Sequence, residues 1–175
     1  MAAGVTLTTE RLTLRPPEPG DAGWIAREIA HPEVHVMLTA VPHPYGLADA
    51  ESWIAANRDV AGVFVIVQDG APLGALTLEN PAWGQELGYW LKRDAWGRGV
   101  MSEAAGAALD WHFSQSAQDM PSGYVTGNTG SRNVLHKLGF ADTEIVPRHS
   151  HYWGREVEVQ RMRLTLEDWN ARHDG

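Results

Sequence analysis

The chain has 175 residues, 43% of them hydrophobic and 21% charged, which suits one globular domain around a single core. A formal net charge of -8 makes duplex nucleic acid an unfavourable partner. The absence of cysteine excludes disulfides and thiolate catalysis, and removes the commonest zinc ligand.

The first residues, Met1 to Leu7, carry neither the basic nor the apolar region of an export signal. The most apolar run, Val63 to Val67, is far too short to span a bilayer. A cytoplasmic chain with no membrane contact is therefore expected. Arg11 to Arg15 alternates apolar and polar residues and reads as a half-buried strand, ended by Pro16 and Pro17. Glu18-Pro19-Gly20-Asp21 opens a helix through Trp24, Ile25 and Ile29, closed at His31-Pro32. Val34 to Leu38 fits a helical turn or a short strand. Val41 to Gly46 is a loop by its prolines and glycine, and a second helix runs from Asp49 to about Val60, with Trp53 and Ile54 facing inward.

Val63 to Val67 and Leu73 to Leu78, joined by Asp69-Gly70, form a hairpin. A turn over Asn80 to Gly84 leads to a strand from Glu86 to Leu91. Two glycines, Gly97 and Gly99, then precede a helix that runs to about Phe113 and turns Ala104, Ala107, Ala108 and Trp111 toward the sheet. Ser122 to Thr126 is a strand, and Ser131 to Leu138 is a helix stopped by Gly139. Phe140 to Val146 and Val157 to Leu166 are the final strands, linked by Pro147 to Gly154. The hairpin series before the glycines implies a mainly antiparallel sheet with helices packed on it, an α+β fold.

The strand, glycine turn and helix around Trp96 to Ala104 make an anion site. Glycine lets backbone N–H groups approach a ligand, and the first N–H groups of a helix lack intrahelical partners. A diphosphate suits such a site. A Walker A loop requires Gly-Lys-Ser/Thr, which Arg98-Gly99-Val100-Met101 lacks. A dinucleotide fingerprint requires a third glycine where Ser102 stands, and a βαβ setting rather than hairpins.

Tyr89-Trp90-Leu91 followed by Trp96-Gly97-Arg98-Gly99-Val100-Met101-Ser102-Glu103-Ala104 resembles the acyl-CoA motif of the GNAT acetyltransferase superfamily. Thr9 to Arg15 resembles the first strand of its ribosomal-protein alanine N-acetyltransferase branch. Asn128-Thr129-Gly130-Ser131 through Lys137-Leu138-Gly139-Phe140 resembles a later segment of that branch. Asp94 departs from the glutamine or arginine frequent in the superfamily and leaves the glycines intact. The resemblance implies a sheet of about six to seven strands, splayed after the fourth, with acetyl-CoA as donor and no metal.

It also implies roles. The N–H groups of Trp96, Gly97, Arg98, Gly99, Val100 and Met101 would receive the pyrophosphate, with Arg98 adding charge or standing solvated. Backbone groups of Trp90 and Leu91 would pair with pantetheine or polarise the thioester carbonyl. Asn128, Ser131 and Asn133 would orient the acetyl and pantetheine end, and Ser131 could equally cap its helix. Attack by an amine requires loss of a proton. Glu86 is the candidate base, through water; its alternative is an exposed strand-edge carboxylate, and Glu79 is a weaker stand-in. Leu135 occupies the position of the tyrosine acid of many relatives, so protonation of the thiolate falls to Ser131, to water or to nothing.

His31 with His35, and His149 with His151, have spacings that metals use, but no third ligand accompanies them. His149, His151, Tyr152, Trp153, His43 and Tyr45 are candidates to line the acceptor site. The acceptor is a primary amine, either a protein N-terminus or a small molecule, and the protein would work as a monomer or homodimer. The competing readings are a non-catalytic acyl-CoA-binding module and a nucleotide-binding protein using the same turn.

Overall fold

The computed structural model describes residues 4–80 and 84–173, so most of the turn expected over Asn80 to Gly84 lies outside the described residues. A five-stranded sheet holds β1 (Leu7–Thr8), β2 (Thr13–Arg15), β3 (Val63–Gln68), β4 (Ala71–Asn80) and β5 (Gly84–Leu91), in that order. A second sheet of three has the order β6 (Met120–Val125), β8 (Arg155–Leu164), β7 (Ala141–Ser150). Every strand pairing is antiparallel. The sheets part between β5 and β6, after the fourth of the strands expected from the sequence. One strand more than expected is present, because β1 pairs with β2 through only Leu7↔Leu14 and Thr8↔Thr13, too short for a recognisable alternation.

The helices are α1 (Ala22–Ile29), α2 (Pro32–His35), α3 (Leu47–Asn57), α4 (Val100–Gln115), α5 (Thr129–Lys137) and α6 (Leu166–His173). Val34 therefore belongs to a single helical turn, with Pro32 at a start position that needs no N–H. Expected boundaries shift at the C-terminal hairpin: β7 continues to Ser150, paired to Arg155, so the connection shrinks to a turn over 151–154. Helix α6 was not apparent in the pattern. Its anchors are tertiary: Trp169 is 3% exposed and its indole donates to Asp110 on α4 at 3.1 Å.

Helix α4 buries Val100, Met101, Ala104, Ala105, Ala108, Leu109 and His112, a stripe at helical spacing. Ala105 takes the inward place that the sequence reading gave to Ala107, while Trp111 is half-buried and meets Phe64 of β3 edge-on, 6.2 Å between ring centroids. Leu87 of β5 packs into this core, with Tyr89 and Leu91 against it. A smaller cluster of Ala22, Ile25, Ile29, Ala50 and Ile54 joins α1 to α3 and carries Trp90 at its margin. Strand β5 has one extra residue against β4, since Glu79 pairs with Gln85 and Thr77 with Gly88. This bulge falls at Glu86 and Leu87, and bulges re-aim side chains beside sites. Across the parting, the Ser122 hydroxyl donates to the Leu87 carbonyl at 2.8 Å.

Candidate cofactor and catalytic site

After β5, the chain makes a single helical turn over Arg93–Ala95 and is pinned by Ala95, which is fully buried. The Trp96 indole donates to the Leu91 carbonyl at 2.9 Å, and the Trp96 N–H to the Arg93 carbonyl at 3.1 Å. Gly97 and Gly99 have φ of +73° and +72°, a region that costs other L-residues about 1–2 kcal/mol. Gly99 is the N-cap of α4 and has no side chain with which to cap it. The first N–H groups of α4 are thus without an intrahelical acceptor, beside an exposed turn from Trp96 to Gly99. A Cβ on Gly97 would meet nothing within 4 Å, so open space adjoins these donors. The arrangement fits a pyrophosphate, with donors beginning after Trp96.

The turn is held from behind by the N-terminal segment. Glu103 accepts from the Thr9 hydroxyl at 2.6 Å, the Arg11 N–H at 3.0 Å and Arg11 Nε at 2.7 Å. Arg11 Nη2 also donates to the Arg98 carbonyl at 3.1 Å. Burial works to raise the Glu103 pKa, but the Thr9 and Arg11 hydrogen bonds and the Arg11 charge outweigh it, and the carboxyl stays below its ordinary value. Glu103 thus has a structural role, and its dependence on Arg11 is hidden in the sequence because the two lie far apart.

At the parting of the sheets, Asn128 caps α5: its side-chain oxygen accepts the Ser131 N–H at 3.1 Å. The cap is therefore Asn128, and the Ser131 hydroxyl is left to meet the Tyr89 hydroxyl at 2.8 Å. Burial pushes the Tyr89 pKa up to about 12, against the opposing hydrogen bond with Ser131. Leu135 is fully buried in the core, so the helix position that many relatives fill with tyrosine serves packing here. Asn133 is exposed. Trp90 stacks at a tilt on Trp24, 5.6 Å between ring centroids.

Glu86 is half-buried and spans the parting. One carboxylate oxygen pairs with Arg161 of β8, and the other accepts from Asn80 at 3.3 Å. Arg161 reaches it over Gly123 of β6, where a Cβ would stand 3.0 Å from the guanidinium. Glu86 therefore stands on the edge strand of its sheet without being exposed, and Arg161 is a neighbour that spacing alone did not indicate. Glu79 ends β4 near Gln85.

Near the end of β6, a recess of about 360 Å³ is lined by Val36 and Met37, by Val125 to Gly127, and by Trp153, Arg155 and Glu158. Trp153 is 51% exposed, with the Arg155 guanidinium 5.5 Å from its ring centre. Behind it, His35, His43 and Tyr152 form a ring cluster with centroids 4.9 to 5.4 Å apart. The His151 N–H donates to the Thr39 carbonyl at 3.0 Å, tying the loop after α2 to the β7–β8 turn. Of the expected acceptor residues, Trp153 lines the recess, whereas Tyr152 meets the Trp153 ring edge-on at 5.1 Å and His43 packs on Tyr152. Tyr45 packs instead against the α1–α3 cluster. Among the described residues, no group of three or more His, Asp and Glu side chains is placed to hold a metal, and no helix is long and apolar enough to cross a membrane.

Comparison with known proteins agrees with this geometry. The model of the acetyltransferase (GNAT) domain matches residues 11–141. An uncharacterised N-acetyltransferase, p20, of Bacillus licheniformis is 27% identical, covering 94% of this chain and 98% of its own. RimJ of Mycobacterium smegmatis, solved in complex with a CoA-disulfide, has the same fold: TM-score 0.77, 24% identity, 90% of this chain and 83% of that one. The ribosomal-protein-S5-alanine acetyltransferase of Vibrio fischeri aligns with TM-score 0.71 and 20% identity over 94% of this chain and 98% of its own. With the uncapped helix, the parted sheets and a family match over most of its length, this chain belongs to the GNAT family and is an acetyl-CoA-dependent acyltransferase.

Proposed function

We propose that the protein acetylates a primary amine by direct attack on acetyl-CoA, with a protein N-terminus as the first acceptor class to test. The observation that carries the reading is the parting of the sheets, bounded by the uncapped α4 N-terminus, Ser131 and Glu86. The N–H groups from Gly97 to Met101 receive the pyrophosphate, and Asn128 and Asn133 orient the pantetheine end. With Trp90 paired to Ala75 of β4 and the Leu91 carbonyl accepting from Trp96, the Leu91 N–H is the backbone group of this pair that serves pantetheine. Bound acetyl-CoA supplies the activated acyl group.

Glu86 takes the proton of the incoming amine through water, and Arg161 fixes where its carboxylate stands. The amine enters by the recess at Met37 and Trp153, which Glu158 and Arg155 line with opposite charges. Nucleic acid and membrane have no place in this reaction. The working unit is one domain, a monomer or homodimer in the cytoplasm.

The test is an acceptor screen by mass spectrometry with isotopically labelled acetyl-CoA, across N-terminal peptides, polyamines and aminoglycosides. Label on a peptide α-amino group is the expected result. Label confined to polyamines or aminoglycosides would move the acceptor to that class. Thiol release that no amine in the panel accelerates would place the acceptor outside these three classes. Glu86→Gln should lower kcat about 100-fold, the lower range for a positioned base, while CoA affinity holds. Unchanged turnover removes Glu86 from the mechanism.

A further inference from the structure

Tyr89 and Ser131 come from opposite sides of the parting, one from β5 and one from the first turn of α5, and their hydroxyls meet at 2.8 Å. A serine hydroxyl has a single hydrogen that rotates to suit its surroundings. What Ser131 offers to a ligand therefore depends on which member of the pair donates. A phenol is the better donor of the two. Burial keeps Tyr89 protonated throughout the working pH range, and its only other acceptor within reach among the described residues, the Ser131 carbonyl, is longer at 3.4 Å. The Ser131 N–H is already committed to Asn128, which fixes the serine backbone.

We propose that Tyr89 is a positioning residue for Ser131: its hydroxyl donates to Ser131 Oγ, which turns the serine hydrogen outward toward the departing sulfur of coenzyme A. This rests on the reading that Ser131 faces the thioester. In the transfer a C–N bond forms and the C–S bond breaks, and the electron pair of that bond goes to sulfur. Ser131 then donates a hydrogen bond to the sulfur while keeping its proton, as does Tyr89. The proton lost by the amine passes through water to Glu86, and solvent protonates the released thiolate. Two hydroxyls in series strengthen the terminal donor, because hydrogen-bonded chains polarise one another. Such a pair supplies by tertiary contact what Leu135, in the core, does not.

The test is a double-mutant cycle on thiol release from saturating acetyl-CoA, to water alone and to an alanyl peptide. Ser131→Ala should lower kcat about 10- to 100-fold, as loss of a hydrogen bond to developing charge does. Tyr89→Phe, which keeps the buried ring, should lower it about 5- to 20-fold with CoA affinity unchanged within about twofold. In the Ser131→Ala background, Tyr89→Phe should have no further effect. If Ser131→Ala leaves kcat intact, the reading of Ser131 fails and the positioning role with it. If Ser131→Ala is slow but Tyr89→Phe is not, or if the two losses multiply, the positioning role alone is overturned. A purely structural tyrosine would instead lower thermal stability and weaken CoA binding in both backgrounds.

Discussion

Replacing Arg11 by alanine removes two side-chain hydrogen bonds, one to Glu103 at 2.7 Å and one to the Arg98 carbonyl at 3.1 Å. It leaves Glu103 with the Arg11 N–H and the Thr9 hydroxyl, so no carboxylate is stranded. Hydrogen bonds to charged groups contribute about 1.5–3 kcal/mol when sheltered, whereas exposed ion pairs contribute about 0.2–1 kcal/mol. The Arg11 side chain is 40% exposed and that of Glu103 22%, which places the loss toward the lower range. About 1 kcal/mol is a reasonable expectation, or about fivefold in an equilibrium constant. Because both bonds end on the turn that presents Gly97 and Gly99, much of this should appear as weaker CoA binding. The remainder should appear as a melting temperature lower by about 2–4 °C per kcal/mol for a chain of this size. Titration calorimetry with coenzyme A and thermal unfolding measure the two parts. Arg11→Lys should recover some of the Glu103 pairing but not both bonds together. A lowered melting temperature with unchanged CoA affinity would refute the idea that the clamp organises the turn.

Three further outcomes follow from the backbone and the buried titratable groups. Gly99→Val places a β-branched residue at φ +72°, where its Cβ stands 3.7 Å from Arg11; CoA affinity should fall tenfold or more, since strain of about 1–2 kcal/mol or greater centres on the turn, while the fold persists. Equal affinity would remove the turn from the site. In acid, burial holds the His35 pKa below its ordinary value, helped by repulsion from His43 and His151 and opposed by its hydrogen bond with the Val41 carbonyl. The unfolded chain thus binds this proton more readily, and stability should decline as pH drops from about 6.5 toward the depressed folded value. Asp21 behaves likewise at lower pH: burial raises its pKa, but Arg15, Trp24 and the Glu18 N–H lower it more, so its contribution is lost below about 4. Thermal unfolding at stepped pH checks both phases. A melting temperature that is flat from pH 7.5 to 5, or a His35→Gln variant with the same slope, would contradict the first.

The sequence by itself determined the local features. Two glycines one residue apart, an apolar strand before them and an alanine-rich run after them specify strand, turn and helix, because positive φ and helical periodicity act over a few residues. The Asp69-Gly70 hairpin is legible for the same reason, and so is the helix break at Pro32. What escaped was set by contacts distant in sequence. Arg11 and Glu103 meet across 92 positions, Glu86 and Arg161 across 75, and Tyr89 and Ser131 across 42. No periodicity encodes which donor faces which acceptor, because a side chain's partner depends on how the sheets part and on where Gly123 leaves room. Helix α6 and strand β1 belong to the same category, since Trp169 on Asp110 and two pairings with β2 hold them in place. The glycine turn could be read from the chain alone; the groups that hold it, and the hydroxyl pair across the parted sheets, exist only once the chain has folded.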